Sequence, residues 1–458
     1  MTQSHPRKGK ALLLAALRHE PVEAVPWVPF AGVHAGKLKG YTATEVLTDA
    51  DKLFESLLEV NRVYDPDGQP VVFDLQIEAE ILGCELLWAE KAPPSVATHP
   101  LAAELVIPDR LPEPADGRLP IVLDVMQRMK AAVGERTALY GLVCGPLTLA
   151  SHLRGTEIFM DMMLRVDQVH SLIAYTGAIC KRMADLYIDA GMDVIAVVDP
   201  LVSQIGPKHF AQFMHEPMVE VFAHIRERGA FSSFFVCGDA TKNIEGLCQT
   251  GPDSIGIDEN IDMVAAKAIT DRYNVTIGGN IPLTTVMLLG TQQDNMKFVV
   301  ELLAKLSHHN FILAPGCDMP YDIPIENVIG VVEAVRDPER TAQMLKDYAA
   351  PDLFDIDVPL PDYEHLERPL IEVFTLDSDT CAACTYMFGA ALRAAQQFGT
   401  KVDIVEYKFT ERENVARCKK MGVKNLPSIY INGKLKYSSI IPSNDELLAE
   451  IEKALQPS

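Results

Sequence analysis

The sequence lacks an excess of basic residues and lacks long apolar runs. Its 458 residues carry 41 Lys and Arg against 63 Asp and Glu, which gives a formal net charge of −22. Nucleic-acid binding needs a basic surface, so this balance argues against it and fits cationic or neutral partners. Apolar runs such as 194–198 and 311–314 fall far short of the roughly 20 residues that span a membrane. We therefore expect a cytoplasmic protein with no nucleic-acid and no membrane partner.

The nine cysteines lack the pattern of a secreted disulfide framework, because they are spread over the whole chain and their number is odd. A Cys-x-x-Cys pair, Cys381 and Cys384, stands beside alternating strand and helix patterns, which favours cytosolic redox chemistry. Two more cysteines, Cys237 and Cys317, each follow an apolar run and lie next to glycine. That placement favours metal or thiol chemistry. We interpret the others as small buried apolar residues: Cys84, Cys144, Cys180, Cys248 and Cys418.

Short apolar runs alternate with longer amphipathic ones from Val25 to about Ala314, which predicts parallel βα units in a first domain at residues 1–349. No GxGxxG motif opens a helix there, so a dinucleotide-binding fingerprint is absent. Eight units favour a closed (β/α)₈ TIM barrel, with a doubly wound sheet as the alternative. The candidate strands are 25–30, 71–75, 138–143, 193–198, 232–236, 254–257, 275–278 and 311–314.

A boundary is predicted at residues 350–369, which hold four prolines and six acidic residues. Proline stiffens a segment and like charges extend it, so we expect a semi-rigid acidic linker. Residues 370–458 then form a smaller α/β unit. Its predicted strands are 370–376, 402–407, 428–431 and 434–440, and its predicted helices are 381–398, 411–421 and 445–455.

The unit at 370–458 resembles the thioredoxin/glutaredoxin family. The markers are the Cys381-x-x-Cys384 pair at a helix start and Pro427. In that family the proline is cis and faces the cysteines, and we assign Pro427 to binding. A helix N-terminus favours thiolate, so Cys381 is the predicted nucleophile and Cys384 the resolving thiol. The alternative is a redox-inactive fold used as a docking module. The fold prediction is thus a TIM barrel followed by a small thioredoxin-like domain.

Polar side chains follow several barrel strands, at the end that carries catalysis in TIM barrels. His34, Glu78, Asp199 and Asn280 follow strands one, two, four and seven. We assign Asp199 and Glu78 to catalysis, because they could orient a substrate or take its proton. His34 and Asn280 are assigned to cofactor binding.

Cys237 and Cys317 follow strands five and eight, on opposite sides of the predicted barrel. Thiolates on the loops after both strands could still meet over the centre. Zinc accepts thiolate, imidazole and carboxylate ligands, so we predict these two cysteines as metal ligands. Two cysteines are too few, and other side chains would have to complete the shell.

The barrel resembles the uroporphyrinogen decarboxylase superfamily, in particular its cobalamin-dependent methyltransferase branch. The stretches that carry the resemblance are 30–40, 145–149, 236–239, 258–259, 279–282 and 316–318. The resemblance implies a (β/α)₈ barrel that moves a methyl group from a corrinoid protein to a thiol. It also implies zinc, held by a His-x-Cys motif and a distant cysteine, which here match Cys237 and Cys317.

The chain departs from this zinc motif at one position, and two motifs of related proteins are absent. The histidine position of the His-x-Cys motif is Phe235. Either another ligand replaces it, with His34, Asp199, Glu78 and Asp239 as candidates, or the site holds no zinc and the two cysteines act as a thiol/disulfide pair. The arginine-rich segment that the decarboxylase uses for its tetrapyrrole is absent near residue 30, which argues against that activity. The Asp-x-His-x-x-Gly corrinoid motif is also absent, so a corrinoid would arrive on a separate protein.

Three functions follow from these patterns. The first is a zinc-assisted methyltransferase that acts on a small thiol, with a fused redox domain that keeps thiols reduced. The second is an oxidoreductase in which the Cys381–Cys384 pair reduces Cys237 and Cys317. The third is a non-catalytic protein that binds a corrinoid or tetrapyrrole.

Overall fold

A parallel sheet of seven strands forms the centre of the first of two units in this computed structural model. The units are Met1–Ala349 and Ala350–Ser458, and the structure describes residues 7–350, 352, 354–378, 382–439 and 441–455. In chain order the first unit contains β1 (Gly68–Pro70), β2 (Leu86–Leu87), β3 (Ser95–Val96), β4 (Ala138–Cys144), β5 (Val194–Val198), β6 (Phe231–Val236), β7 (Ser254–Ile257), β8 (Thr276–Ile281) and β9 (Phe311–Pro315). The sheet order is β1-β4-β5-β6-β7-β8-β9, and β2 pairs with β3 in a separate antiparallel hairpin.

The ends of this sheet are joined by residues 26–28, which completes a TIM-barrel-like ring. Trp27 forms a parallel bridge with Leu313 of β9. On the other side, the Trp27 carbonyl accepts the N–H groups of Asp67 at 2.9 Å and Gly68 at 3.3 Å. Because both edges meet at this segment, the predicted barrel is confirmed and the doubly wound alternative is wrong.

The second predicted strand corresponds to β1, which begins three residues earlier than predicted. The apolar run at 71–75 suggested a strand, but the pairing with β4 lies at Gly68–Pro70. Its register is set by neighbouring main-chain contacts, since Ala138 donates to the Asp67 carbonyl at 3.0 Å. Gln69 donates to the Leu57 carbonyl at 2.8 Å, which holds this polar residue in a buried strand.

Helices surround the sheet, so strands such as Val194–Val198 are buried on both faces and consist of apolar residues throughout. The first-unit helices are α1 (Lys10–Leu17), α2 (His34–Lys37), α3 (Ala43–Thr48), α4 (Ala50–Tyr64), α5 (Ile77–Ile81), α6 (Leu119–Val133), α7 (Pro146–Arg154), α8 (Glu157–Leu164), α9 (Val166–Asp189), α10 (Pro207–His209), α11 (His215–Glu227), α12 (Ile244–Gln249), α13 (Met263–Thr270), α14 (Gln292–Lys305), α15 (Ile325–Arg336) and α16 (Pro338–Met344). None of the helices in the described part of the chain is long and apolar enough to cross a membrane.

Aromatic side chains fill the barrel interior. Phe30, Phe73, Tyr140 and Phe235 are all buried in one apolar cluster. Their rings contact one another at centroid distances of 4.9–6.1 Å. Such ring pairs add about 0.5–1.5 kcal/mol each beyond the burial of their area. The interior is therefore a packed core and the chemistry is left to the strand ends.

The second unit has a four-stranded sheet of order β11-β10-β12-β13, with β10 and β11 parallel and the other pairs antiparallel. One face is covered by α17 and α19, which share an apolar core with β10 and β12. The predicted elements are present, and half of their ends are shifted by one or two residues. Their bounds are β10 (Leu370–Thr375), α17 (Ala382–Phe398), β11 (Asp403–Lys408), α18 (Arg412–Met421), β12 (Ser428–Ile431), β13 (Lys434–Ser438) and α19 (Asn444–Leu455).

Part of the predicted linker packs against this second unit. Val358 is buried, and its carbonyl accepts the Lys420 ammonium at 2.9 Å. The Tyr363 hydroxyl donates to the buried Glu372 carboxylate at 2.9 Å. These contacts hold residues 358–363 beside β10 and α18.

Candidate active site

Cys237 and Cys317 meet at the C-terminal end of the barrel strands, where they are joined by a disulfide. Cys237 follows β6 directly and Cys317 comes two residues after β9, with β7 and β8 between them. Strands three positions apart in a barrel wall are separated by on the order of 10 Å. The two Cα atoms are 5.9 Å apart, so both loops lean inward over the barrel.

The loop after β7 holds both cysteine loops in place. The Gly238 N–H donates to the Asp258 carboxylate at 2.8 Å. A Cβ atom on Gly316 would lie 2.7 Å from the Glu259 backbone nitrogen, so this glycine permits the close approach beside Cys317. Asn280 in turn donates to the carbonyls of Asp258 at 2.9 Å and Ile261 at 2.7 Å. Asn280 thus supports the loop with its amide, and its assignment to cofactor binding stays a prediction.

Burial raises the pKa values of the carboxyl groups beside the cysteine pair. Burial, followed by repulsion from Asp258, raises the pKa of Glu259 to about 8. Burial also raises the pKa of Asp258, and it raises that of Asp318 well above its ordinary value. Asp318 accepts the Gly32 N–H at 2.9 Å, which links the loops after the first and last strands. The site is acidic in composition but carries less charge than its residues suggest.

His34 lies in a buried position where both ring nitrogens are engaged. Its Nε2 is 2.8 Å from the Tyr64 hydroxyl, and its Nδ1 is 3.0 Å from the Tyr321 carbonyl. Burial lowers the pKa of His34 to about 4, so the ring is neutral at physiological pH. This arrangement ties α2 to α4 and does not bring the ring together with the cysteines as a ligand.

Asp199 caps the helix that follows β4. Its carboxylate accepts the N–H groups of Leu147 and Thr148 at 2.9 Å and the Thr148 hydroxyl at 2.6 Å. The N-cap residue of α7 is Gly145, which has no side chain to do this. Burial raises the pKa of Asp199 to about 6. The sequence assigned Asp199 to catalysis, but its three hydrogen bonds place it to hold the start of α7 in position.

Glu78 has one engaged and one unengaged carboxylate oxygen. Its Oε1 accepts the Cys144 N–H at 2.9 Å. Its Oε2 is buried and has no hydrogen-bond partner in the part of the chain that the structure describes. Burial raises the pKa of Glu78 to about 7. A carboxylate of this kind is suited to proton transfer near neutral pH.

Arg118 is a residue of this region that the sequence patterns did not single out. It comes from the irregular segment before α6, and its guanidinium binds Asp74 at 2.6 Å and Glu80 at 2.7 Å. The Trp88 ring covers it at 4.9 Å. The buried Arg118–Asp74 pair anchors the segment to the loop that follows β1. No local motif marks it, since the partners are 44 residues apart.

In the second unit, Cys384 is buried on α17 and its sulfur accepts the Leu376 N–H at 3.3 Å. The loop that supplies this N–H is fixed by Glu406, whose carboxylate accepts the Ser378 hydroxyl at 2.8 Å. The Leu426–Pro427 peptide is cis. Cys381 lies outside the described residues, so its predicted role as nucleophile stays a prediction.

The URO-D (uroporphyrinogen decarboxylase) family matches residues 8–338, and the thioredoxin domain family matches residues 370–452. The chain belongs to the URO-D family. Both resemblances predicted from the sequence are thereby confirmed, as is the order of the two domains.

Individual relatives of this URO-D family chain include methyltransferases and decarboxylases. Methylcobamide:CoM methyltransferase MtbA of Methanosarcina acetivorans is 26% identical over 346 residues, which cover 73% of this chain and 99% of the relative. Uroporphyrinogen decarboxylase of Nostoc punctiforme is 24% identical over 296 residues, which cover 63% of this chain and 82% of the relative. A solved methyltransferase from Methanosarcina mazei has a TM-score of 0.66 at 23% identity, and the match covers 72% of this chain and 98% of that one, which shows the shared fold.

The donor set of this URO-D chain does not fit a zinc ion in the state described. The two predicted sulfur ligands are bonded to each other, and a disulfide sulfur cannot act as the thiolate that zinc needs. Phe235, at the histidine position of the family motif, is buried in the barrel core. No group of three His, Cys, Asp or Glu side chains placed to hold a metal occurs among the described residues.

Proposed function

We propose that this protein transfers a methyl group from a methylated corrinoid, carried by a separate protein, to a small thiol. Relatives that match this chain over nearly their full length bear the name methylcobamide:CoM methyltransferase. The observation that carries the proposal is the meeting of Cys237 and Cys317 over the barrel mouth. Reduction of this disulfide would place two thiols at the end of the strands where TIM barrels carry out catalysis.

The reaction balances without a further reactant. The acceptor sulfur forms a bond to the methyl carbon, and the bond from that carbon to the corrinoid breaks. The corrinoid keeps the bonding electron pair, and the thiol proton passes to a carboxylate of the barrel. The corrinoid is a substrate here, held by its own protein, and the barrel supplies orientation, a proton acceptor and exclusion of water.

Glu78 is the proposed proton acceptor. Its Oε2 atom is unengaged among the described residues, and its pKa of about 7 lets it be ionised at neutral pH. Asp199, whose oxygens are engaged at the start of α7, is the proposed positioning residue. The sequence assigned Glu78 and Asp199 together to catalysis, and the proposal gives them different roles.

Zinc is the cofactor that the family resemblance implies for thiol activation. After reduction, Cys237 and Cys317 would supply two thiolates, whereas a catalytic zinc site has three protein ligands. Because a third ligand is not found among the described residues, the proposed reaction does not use zinc.

Uroporphyrinogen decarboxylation is not the proposed reaction, although relatives with that name match the chain. The segment at 30–40 holds two lysines and no arginine. A tetrapyrrole with several carboxylates would meet an acidic protein without an arginine clamp, which disfavours binding.

The test is a methyl-transfer assay with the reduced, full-length chain under anaerobic conditions. Methylcobalamin serves as the donor probe, and a panel of neutral, cationic and anionic small thiols serves as acceptors. We expect protein-dependent loss of methylcobalamin together with formation of the methyl thioether. A folded, reduced chain that shows no turnover with any thiol of the panel would contradict the proposal.

The disulfide favours one second candidate, a thiol oxidoreductase in which the barrel cysteines are themselves the reacting groups. In that case turnover would alternate between the disulfide and the dithiol forms of the barrel cysteines, and it would continue without any methyl donor. The same assay tests this when methylcobalamin is omitted.

A further inference from the structure

Cys237 and Cys317 differ from the other cysteines that the structure describes. They are the two that are joined in a disulfide and the two that are half-buried. The remaining described cysteines are buried. Burial raises the pKa of Cys84, Cys248 and Cys418 to about 12 and that of Cys144 and Cys180 well above its ordinary value. Thiol chemistry in the described part of the barrel is therefore confined to this pair.

The disulfide also has a mechanical consequence for the proposed active site. It ties the loop after β6 to the loop after β9, across the ends of β7 and β8. While the bond is intact, neither sulfur can ionise to a thiolate or bind a metal. Reduction would free two thiols at the catalytic end of the barrel, so oxidised and reduced chains differ at the site where chemistry is proposed.

We propose that the Cys237–Cys317 bond is a reversible gate on the barrel, and that the thioredoxin-like domain of the same chain opens it. The domain belongs to the same chain as the barrel, and a tether that can span two sites raises the effective concentration of one near the other to about 1 mM. Exchange within the chain thus outcompetes dilute external thiols.

The distribution of charge favours this reductant. Residues 370–458 carry eleven Lys and Arg and eleven Asp and Glu, so the whole net charge of −22 lies in the residues before them. An acidic barrel repels a second copy of itself and repels anionic thiols. The neutral domain meets no such repulsion.

The exchange is balanced in atoms and electrons. The Cys381 thiolate attacks one sulfur of the barrel disulfide and forms a mixed disulfide, and the other barrel sulfur leaves as a thiolate. Cys384 then attacks Cys381, which releases the second barrel thiol and leaves the domain oxidised. Two electrons and two protons pass to the barrel, and an external dithiol reduces the domain again. The buried sulfur of Cys384 suits the second, resolving step.

The experiment is trapping of the mixed disulfide in the full-length chain with Cys384→Ser. Without the resolving thiol, we expect the Cys381 peptide to be cross-linked to the peptide of Cys237 or Cys317. The sample is quenched with an alkylating agent, digested and read by mass spectrometry. The trapped fraction should be independent of protein concentration and should migrate as a single chain. Cys418→Ser, which removes a buried cysteine of the same domain, should give no trapped species.

Two results would overturn the proposal. One is the absence of a cross-linked peptide in folded Cys384→Ser, and the other is a trapped fraction that rises in proportion to protein concentration. A second measurement tests the proposal if Cys384→Ser fails to fold. Reduction of the barrel pair by dithiothreitol should be about tenfold slower in Cys381→Ser/Cys384→Ser than in the wild type, and equal rates would contradict the gate.

The consequence for activity rests on the proposed methyl transfer, whereas the exchange itself does not. If methyl transfer is absent but the cross-link forms, the proposed function fails and the disulfide remains a client of the domain. If methyl transfer proceeds equally in oxidised and reduced chains, the gate fails and the proposed function stands.

Discussion

The ring of Phe235 packs against the ring of Phe30, with 4.9 Å between their centroids, in the barrel interior beneath the cysteine pair. Phe235 also lies against Gly256, where a Cβ atom would be 2.5 Å from the ring. The position that the family resemblance gives to a metal-binding histidine is thus part of an aromatic core. This position therefore contributes apolar packing and no metal ligand.

The first prediction concerns zinc. We expect less than about 0.1 zinc per chain in protein purified anaerobically and reduced, because two thiolates alone do not form a zinc site. Metal analysis of the wild type and Cys237→Ser should give the same low value. About one zinc per wild-type chain that disappears in Cys237→Ser would show that a third ligand exists and would restore the zinc-assisted mechanism.

The second prediction is a pH dependence of stability from His34. Its pKa falls from 6.5 to about 4 on folding, so the unfolded state binds the proton between these values. The contribution of the neutral ring to stability is complete above pH 6.5 and is lost as the pH falls toward 4, by about 1.4 kcal/mol per pH unit. Urea unfolding of the wild type and His34→Gln should show this difference in slope.

A matched control for this experiment is His365→Gln, because the side chain of His365 is 77% exposed. We expect its pH dependence to follow that of the wild type. The other buried acids contribute equally to all three proteins and cancel in the comparison. Parallel curves for wild type and His34→Gln would show that the buried imidazole is not neutral in the fold.

The third prediction concerns Glu78 as proton acceptor. A base with a pKa of about 7 is active when deprotonated, so kcat/KM for methyl transfer should rise with pH through 7 and then level off. In Glu78→Gln the rise of kcat/KM with pH should be absent, and kcat/KM at pH 8 should fall by a factor of about 10²–10⁴. The exposed Glu85→Gln should keep both rate and profile. A Glu78→Gln enzyme with the wild-type pH profile would assign the proton to another group.

The fourth prediction concerns Asp199 as a positioning residue. Asp199→Ala leaves the first N–H groups of α7 without an acceptor, so we expect the free energy of unfolding to fall by about 1–3 kcal/mol. Asp199→Asn keeps one oxygen and should recover part of that loss. Denaturant titration measures both. Asp189→Ala, whose side chain is 68% exposed, should change stability by less than about 0.5 kcal/mol.

Activity separates the two roles that Asp199 could have. For a positioning residue, Asp199→Asn should lower kcat/KM by less than about tenfold with an unchanged pH profile. A loss of the size expected for a general base, with full stability, would return Asp199 to the catalytic group.

Much of the fold was predictable because burial on both faces of a parallel sheet demands unbroken apolar runs. Val194–Val198 and Phe311–Pro315 are such runs, and the structure has them as strands. Strand two could not be placed in this way. It pairs at Gly68–Pro70, residues with little strand preference, because neighbouring main-chain contacts fix the register.

The sequence by itself determined the two domains' families, the barrel and the set of polar residues at its strand ends, since periodicity and short motifs are local properties. Only the tertiary structure decided what those residues do. It joined Cys237 to Cys317 across 80 residues, engaged both nitrogens of His34 and enclosed Phe235 in an aromatic core. The physical reason is that bonding partners and burial depend on loops that converge in space, and the spacing of residues along a chain does not encode that convergence.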